Sequence, residues 1–237
     1  MGEQGLDHQE PHKGNIAQRL NWLRAGVLGG NDGIVSTAGI VLGVAGATAT
    51  RSTILTAGIA GLSAGAMSMA VGEYVSVSSQ RDSEQALLNK ERGELADAPD
   101  EELAELTDMY AAKGLSHNLA AQVAQELTAV DALAAHAEVE LGINPENLTS
   151  PWRAAFASMV AFTLGSLLPL IAITVPPANL RVPITVVAVL VALAVTGVVS
   201  GRIGKTPLVK PFWRNVLGGS AAMAVTYGIG TLVGHVV

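Results

Sequence analysis

"LGGNDGIVSTAGIVLG", residues 28–43, is a run of small and apolar residues broken by one carboxylate, Asp32. The run widens to residues 25–50 without meeting another charge, which exceeds the roughly 20 apolar residues needed to cross a hydrocarbon core. Four further stretches share this character. Residues 52–79 carry one charge, Glu73, and residues 154–175, 182–201 and 215–237 carry no Asp, Glu, Lys or Arg. The reading is an all-α membrane protein with five transmembrane helices, and the lipid bilayer is its first partner.

Composition supports this reading. The 237 residues are 49% hydrophobic and only 4% aromatic, with 26 glycines, so the apolar mass is made of small side chains that suit close helix packing in lipid. There is no cysteine, which excludes disulfides and thiolate metal sites. The net charge of -6 hides an asymmetry, because 15 of the 20 acidic residues fall between Asp82 and Glu146. No basic stripe marks a nucleic-acid surface, and no nucleic-acid partner is expected. Three acids and no apolar h-region occupy the first 20 residues, so no cleavable signal peptide is expected there.

Lys and Arg placement orients the helices. With the N-terminus inside, the two outer turns hold one basic residue each, Arg51 and Arg181, and the other 12 lie inside. This predicts a multi-pass protein with a cytoplasmic N-terminus and an external C-terminus. The loop 202–214, with Pro207 and Pro211, reads as a cytoplasmic turn. The resulting plan is a cytoplasmic segment 1–24, helices 1 and 2 over 25–80, a cytoplasmic acidic domain over 81–149, and helices 3 to 5 over 150–237.

The acidic domain reads as three helices. No proline interrupts residues 81–95, so the second membrane helix can continue outward as a rod. A second helix restarts with Asp97 as its cap and Pro99 in its first turn. Gly114 ends it, Ser116 caps the third, and Gly142 stops that one. Leu119, Val123, Leu127, Val130, Ala134 and Leu141 recur along the third helix at helical spacing. Such a domain is too small for a large core, and dimerisation would relieve the deficit.

Two constellations could carry chemistry. A carboxylate inside a membrane helix costs roughly 2.5–3.5 kcal/mol on insertion scales and is a functional candidate by default. Asp32 lies about 12 Å from the inner end of its helix, at 1.5 Å per residue. Met69 and Glu73, on the antiparallel second helix, should reach a similar depth. Two hard oxygen donors with a soft thioether suit a borderline divalent metal better than magnesium or calcium. The competing reading has Asp32 bonding locally within "GGNDG", Glu73 at the headgroups and Met69 as plain packing. In the acidic domain, Glu91 and Glu94 are three apart, as are Glu102 and Glu105, so each pair shares a helix face. His136 and Glu140, four apart, could complete a cluster of the kind that di-iron bundles assemble. Spacing alone favours the bland alternative, glutamates on solvated faces.

The motifs "GGNDGIVSTAGIVLGVAGA" (29–47), "AGAMSMAVGEYVSVSSQRDSE" (64–84), "GSLLPL" (165–170) and "TYGIG" (226–230) resemble the vacuolar iron transporter family, closest to its yeast-like and nodulin-like branch. The resemblance covers the chain from Trp22 onward. It implies a homodimer of five-helix subunits, with a three-helix cytoplasmic metal-binding domain inserted between helices 2 and 3. It also implies export of ferrous iron, and often manganese, from the cytoplasm in exchange for protons. Asp32 and Met69 match the family's pathway residues, and Glu91, Glu94, Glu102, Glu105 and Glu140 match its metal-collecting glutamates. This reverses the preference for the bland reading. His136 stands near a family methionine, which admits zinc and cobalt beside iron and manganese. Gly61 stands where relatives carry a carboxylate, and Glu73 is the candidate substitute.

No enzyme activity and no resident cofactor are expected, the metal being cargo. The mechanism implied is alternate occupancy of Asp32 by metal and proton, with glycines 29, 30 and 33 closing a dimer seam around it. A passive cation channel, a membrane-anchored metal store or sensor, and a purely structural membrane protein are the competing classes. A bacterial cytoplasmic membrane is the expected location, or a vacuolar membrane in a eukaryote.

Overall fold

The computed structural model describes residues 13–145 and 148–236, with the backbone alone for 13–25. The polar segment 1–12 and Glu146 lie outside the described residues, so the expected cytoplasmic N-terminal segment is seen only in part. Among the described residues there are helices and no strands. In chain order these are α1 (Lys13–Ala47), α2 (Arg51–Asp97), α3 (Pro99–Ala112), α4 (His117–His136), a π-helical turn (Ala137–Leu141), α5 (Pro151–Thr174), α6 (Arg181–Ile203) and α7 (Val209–Gly234). Five of them, α1, α2, α5, α6 and α7, are long and apolar enough to cross a membrane. The chain divides into a first unit of residues 1–73 and 152–237 and a second of residues 74–151.

The first unit holds the apolar spans. Its core joins Ile34, Ala38, Val41 and Leu42 of α1 to Ile54 of α2, Ile173 of α5, Val189 and Leu193 of α6 and Met223 of α7. Between the helices, glycine sets the distance. A Cβ on Gly33 would collide with the Phe162 carbonyl of α5, one on Gly165 with the carbonyl of Gly30, and one on Gly230 with that of Gly43. Backbones can approach this closely only where side chains are absent. The glycines flanking Asp32 are thus used within the subunit, against α5. This corrects the expectation that they close a seam between subunits.

The two turns expected outside are tied to each other. Arg51 donates to the carbonyl of Pro176, and the buried Arg181 donates to that of Ala49, both at 3.0 Å. Each guanidinium therefore caps a carbonyl of the opposite turn. The α6–α7 connection is shorter than the expected loop 202–214. It reverses over 204–208, with Lys205 at φ 49, and α7 has begun by Val209 with Pro211 in its first turn.

The second unit contains the C-terminal half of α2, then α3, α4 and the π-turn. Its core is small: Leu106, Ala124 and Ala135, packed by Leu103, Tyr110 and Val139. Two expected caps differ. Asp97 is the last residue of α2, and α3 starts from Ala98 without a side-chain cap, with Pro99 next. Ser116 does precede α4, though its hydroxyl makes no capping bond. Gly114 and Gly142 terminate their helices at φ 104 and 65, a backbone region open to glycine.

The third helix of the expected domain is not continuous. At Asp131 the backbone turns extended (φ -161, ψ 99), and its carboxylate accepts the Ala134 N–H at 2.9 Å. Asp131 thus N-caps a new helical piece, which widens into the π-turn. Before the break the buried face is that of Ala120 and Ala124, with Leu119, Leu127 and Val130 exposed, and after it Ala135 and His136 are buried.

Candidate metal centre

Three helical pieces of the second unit each contribute a side chain to one buried cluster. Glu91 comes from α2, Glu102 from the first turn of α3, and His136 from the piece that Asp131 caps. His136 is fully buried, and Glu91 and Glu102 are buried beside it. Its Nδ1 lies 2.9 Å from Glu91 Oε1, 3.6 Å from Glu102 Oε2 and 3.9 Å from Glu140 Oε2. One donor atom each from Glu91, Glu102 and His136 lies within 4.8 Å of the others. Neither ring nitrogen of His136 has a hydrogen-bond partner, and neither does Glu91 Oε1. Glu140 sits at the rim, on the π-turn, a distortion often found at functional sites.

The other half of each glutamate pair stands apart. Glu94 is bound by Lys90 at 2.6 Å on an exposed face. Glu105 is exposed, and it acts on the cluster only through its charge. Helix rotation makes this choice: Leu88 and Leu106 are buried on the faces that carry Glu91 and Glu102.

The electrostatics of the cluster are unfavourable without a cation. Burial pushes Glu91 up from 4.5 to about 7, with Glu140 and Glu102 adding repulsion. Glu102 is raised too, first by burial and then by Glu105, with His136 opposing. Carboxylates drawn together out of water favour protons or metal over the bare anion. Oxygen donors with one imidazole suit a borderline divalent ion such as iron, manganese, cobalt or zinc.

A second site lies in the first unit. Asp32 and Met69 line one cavity of about 420 Å³, shared with Asn31, Arg214 and Asn215. Ser36, one turn along α1, lies with its hydroxyl 3.1 Å from Asp32 Oδ1 and donates to it. Glu73 does not line this cavity, so the structure joins two of the three side chains expected at this depth and leaves the third outside. At position 61 an added Cβ would meet Cδ1 of Ile40 of α1, and that side chain would have to shift.

A set of neutral polar residues, which carry no charge to mark them along the spans, also ties helices together. Asn31 Oδ1 accepts from Thr196 Oγ1 and from Asn215 Nδ2, both at 3.2 Å. An amide in an otherwise apolar run was the available signal, since such groups seek partners on neighbouring helices.

The fold and the cavity define an integral membrane protein with five apolar helices and an appended helical unit rich in carboxylates. A model of the VIT family matches residues 23–231, and the chain belongs to that family. It is 41% identical over 224 residues to a vacuolar iron transporter of Acanthamoeba castellanii, covering 94% of this chain and 82% of that one. It is 36% identical over 221 residues to vacuolar iron transporter homolog 4 of Arabidopsis thaliana, covering 93% and 88%. Homolog 5 of Oryza sativa subsp. japonica is 37% identical over 218 residues, covering 91% and 82%.

Proposed function

We propose that this protein transports divalent metal, ferrous iron first and manganese with it, outward from the cytoplasm in exchange for protons. The observation that carries the reading is the cavity in which Asp32 and Met69 meet among the apolar helices. The names of the relatives, vacuolar iron transporters, support iron as cargo. Asp32 offers one carboxylate for which metal and proton compete. It cannot hold both, so a metal arriving displaces a proton and a metal leaving makes room for one. Alternate occupancy couples the two fluxes.

The cluster of Glu91, Glu102, His136 and Glu140 collects cations at the cytoplasmic mouth, with Glu94 and Glu105 adding attractive charge around it. This reading takes the N-terminus and the acidic unit as cytoplasmic, the C-terminus as external, and the working form as a homodimer. The exposed Leu119, Leu127 and Val130 favour a second copy. Growth of iron-sensitive cells tests the assignment. Expression of the parent raises iron tolerance and Asp32→Asn does not; equal tolerance with both refutes it.

A further inference from the structure

We propose that Thr196 and Asn215 hold Asn31 as a positioning residue for metal binding at Asp32, so that α6 and α7 set the affinity of the site through the orientation of α1. The inference rests on the reading of Asp32 as the transport carboxylate and adds to it.

Asn31 immediately precedes Asp32 on α1. Its side-chain oxygen accepts from Asn215 of α7 and from Thr196 of α6, both at 3.2 Å; Thr196 shares its one hydroxyl proton with the Leu193 carbonyl at 3.1 Å, and Asn215 also reaches Thr196 Oγ1 at 3.4 Å. Three helices are thereby tied at one level, and all three residues are half-buried. The donors explain the orientation of the amide. With its oxygen turned to these donors, Asn31 presents its N–H groups elsewhere, and these repel a cation. It therefore stands beside the metal path without ligating.

What the network controls is the rotation of α1. Residues i and i+1 on a helix are about 100° apart, so fixing Asn31 between α6 and α7 fixes the direction in which Asp32 projects. That direction is into the cavity containing Met69. Close backbone packing of Gly33 against α5 restrains the other side of the same turn. Ser36 holds Asp32 from within the helix, and this bond turns with α1, so it cannot substitute for a restraint from outside. Polar contacts between helices in an apolar surrounding are modest individually. Losing one should leave the fold intact while letting the turn rotate.

Thr196 is the cleanest place to test this, because it does not line the cavity and reaches it only through its bonds to Asn31 and Asn215. The experiment measures initial rates of Mn2+ uptake into proteoliposomes against Mn2+ concentration, for the parent, Thr196→Val and Thr196→Ser. Valine keeps the shape and removes the hydroxyl; serine keeps the hydroxyl. The expected result for Thr196→Val is a half-saturating concentration raised by about threefold to about twentyfold, the range of one interhelical hydrogen bond. The maximal rate per folded protein stays near the parent's, and Thr196→Ser behaves as the parent. A merely structural role would lower the maximal rate and leave half-saturation unchanged, and that result overturns the proposal. Asn215→Ala provides a second variant, expected to shift half-saturation in the same direction, and an unshifted value counts against the proposal equally. Asp32→Asn in the same assay separates the two readings. If it transports as the parent does, the underlying assignment fails; if it is inactive while Thr196→Val is unshifted, only the positioning role fails.

Discussion

Replacing Glu91 with glutamine should stabilise the metal-free protein at pH 8 and abolish its response to metal. Glu91 is 3% exposed, and burial, reinforced by Glu140 and Glu102, pushes its carboxyl from 4.5 up to about 7. Unfolded, it releases its proton near 4.5; folded, it keeps that proton until about pH 7. Within this window the folded state binds more protons than the unfolded state. Stability therefore falls as pH rises through it, and the full cost is present above pH 7. At 1.36 kcal/mol per pH unit the cost is about 3 kcal/mol. Glutamine has nearly the same shape and no charge to bury, so it removes that cost. Amide hydrogen exchange over residues 99–141 of the full-length protein in detergent reads the effect. With chelator at pH 8, amides that exchange through opening of the whole unit should slow in Glu91→Gln by up to about a hundredfold. Near pH 5 the difference should shrink towards zero. Saturating Mn2+ should slow exchange in the parent and leave the variant unchanged. Faster exchange in the variant at pH 8, or equal slowing of both by Mn2+, refutes the picture of Glu91 as a strained anion awaiting a cation.

Other outcomes follow from the same geometry. Mn2+ affinity at the cluster should fall about tenfold per pH unit below pH 7, because a proton must leave Glu91 first. Calorimetry in buffers of different ionisation enthalpy should count that proton, and an affinity flat from pH 6 to 7 contradicts it. His136→Ala should weaken Co2+ binding by more than about tenfold and change its visible spectrum, whereas Glu94→Gln, removing a carboxylate already held by Lys90, should do much less. Equal losses would show that Glu94 ligates as His136 does. In the apolar unit, Gly33→Ala drives a Cβ into the Phe162 carbonyl and should cost about 1–3 kcal/mol. Gly72→Ala, with nothing within 4 Å, should be neutral or stabilising. Thermal unfolding of the two variants in parallel checks the contrast.

The five spans were legible because hydropathy over about 20 residues is a collective signal that no single contact overturns. The ends of elements were harder. Asp97 has the chemistry of a cap, yet α2 continued through it and left Ala98 in the capping position. Asp131 sits in an alanine-rich pattern and resembles any solvated acid; that it breaks α4 and caps the next piece depends on packing that one helix does not encode. Residue spacing named the glutamates that could meet, but not which of each pair turns inward. That depends on how Leu88 and Leu106 seat their helices. The same limit applied to Asp32. Its charge marks it as exceptional in an apolar run, while Asn31, Thr196 and Asn215 are neutral and far apart in sequence, and only the packing of three helices joins them.

The central claim is that one carboxylate couples metal movement to proton movement. Metal and proton fluxes measured together in proteoliposomes test it most directly. With the proteoliposome lumen acid and the bath alkaline, protons leaving down their gradient should drive Mn2+ or Fe2+ to accumulate in the acid lumen against its own gradient. Asp32→Asn should abolish both fluxes together. Metal that only runs down its own gradient, indifferent to pH and to Asp32→Asn, would contradict the account.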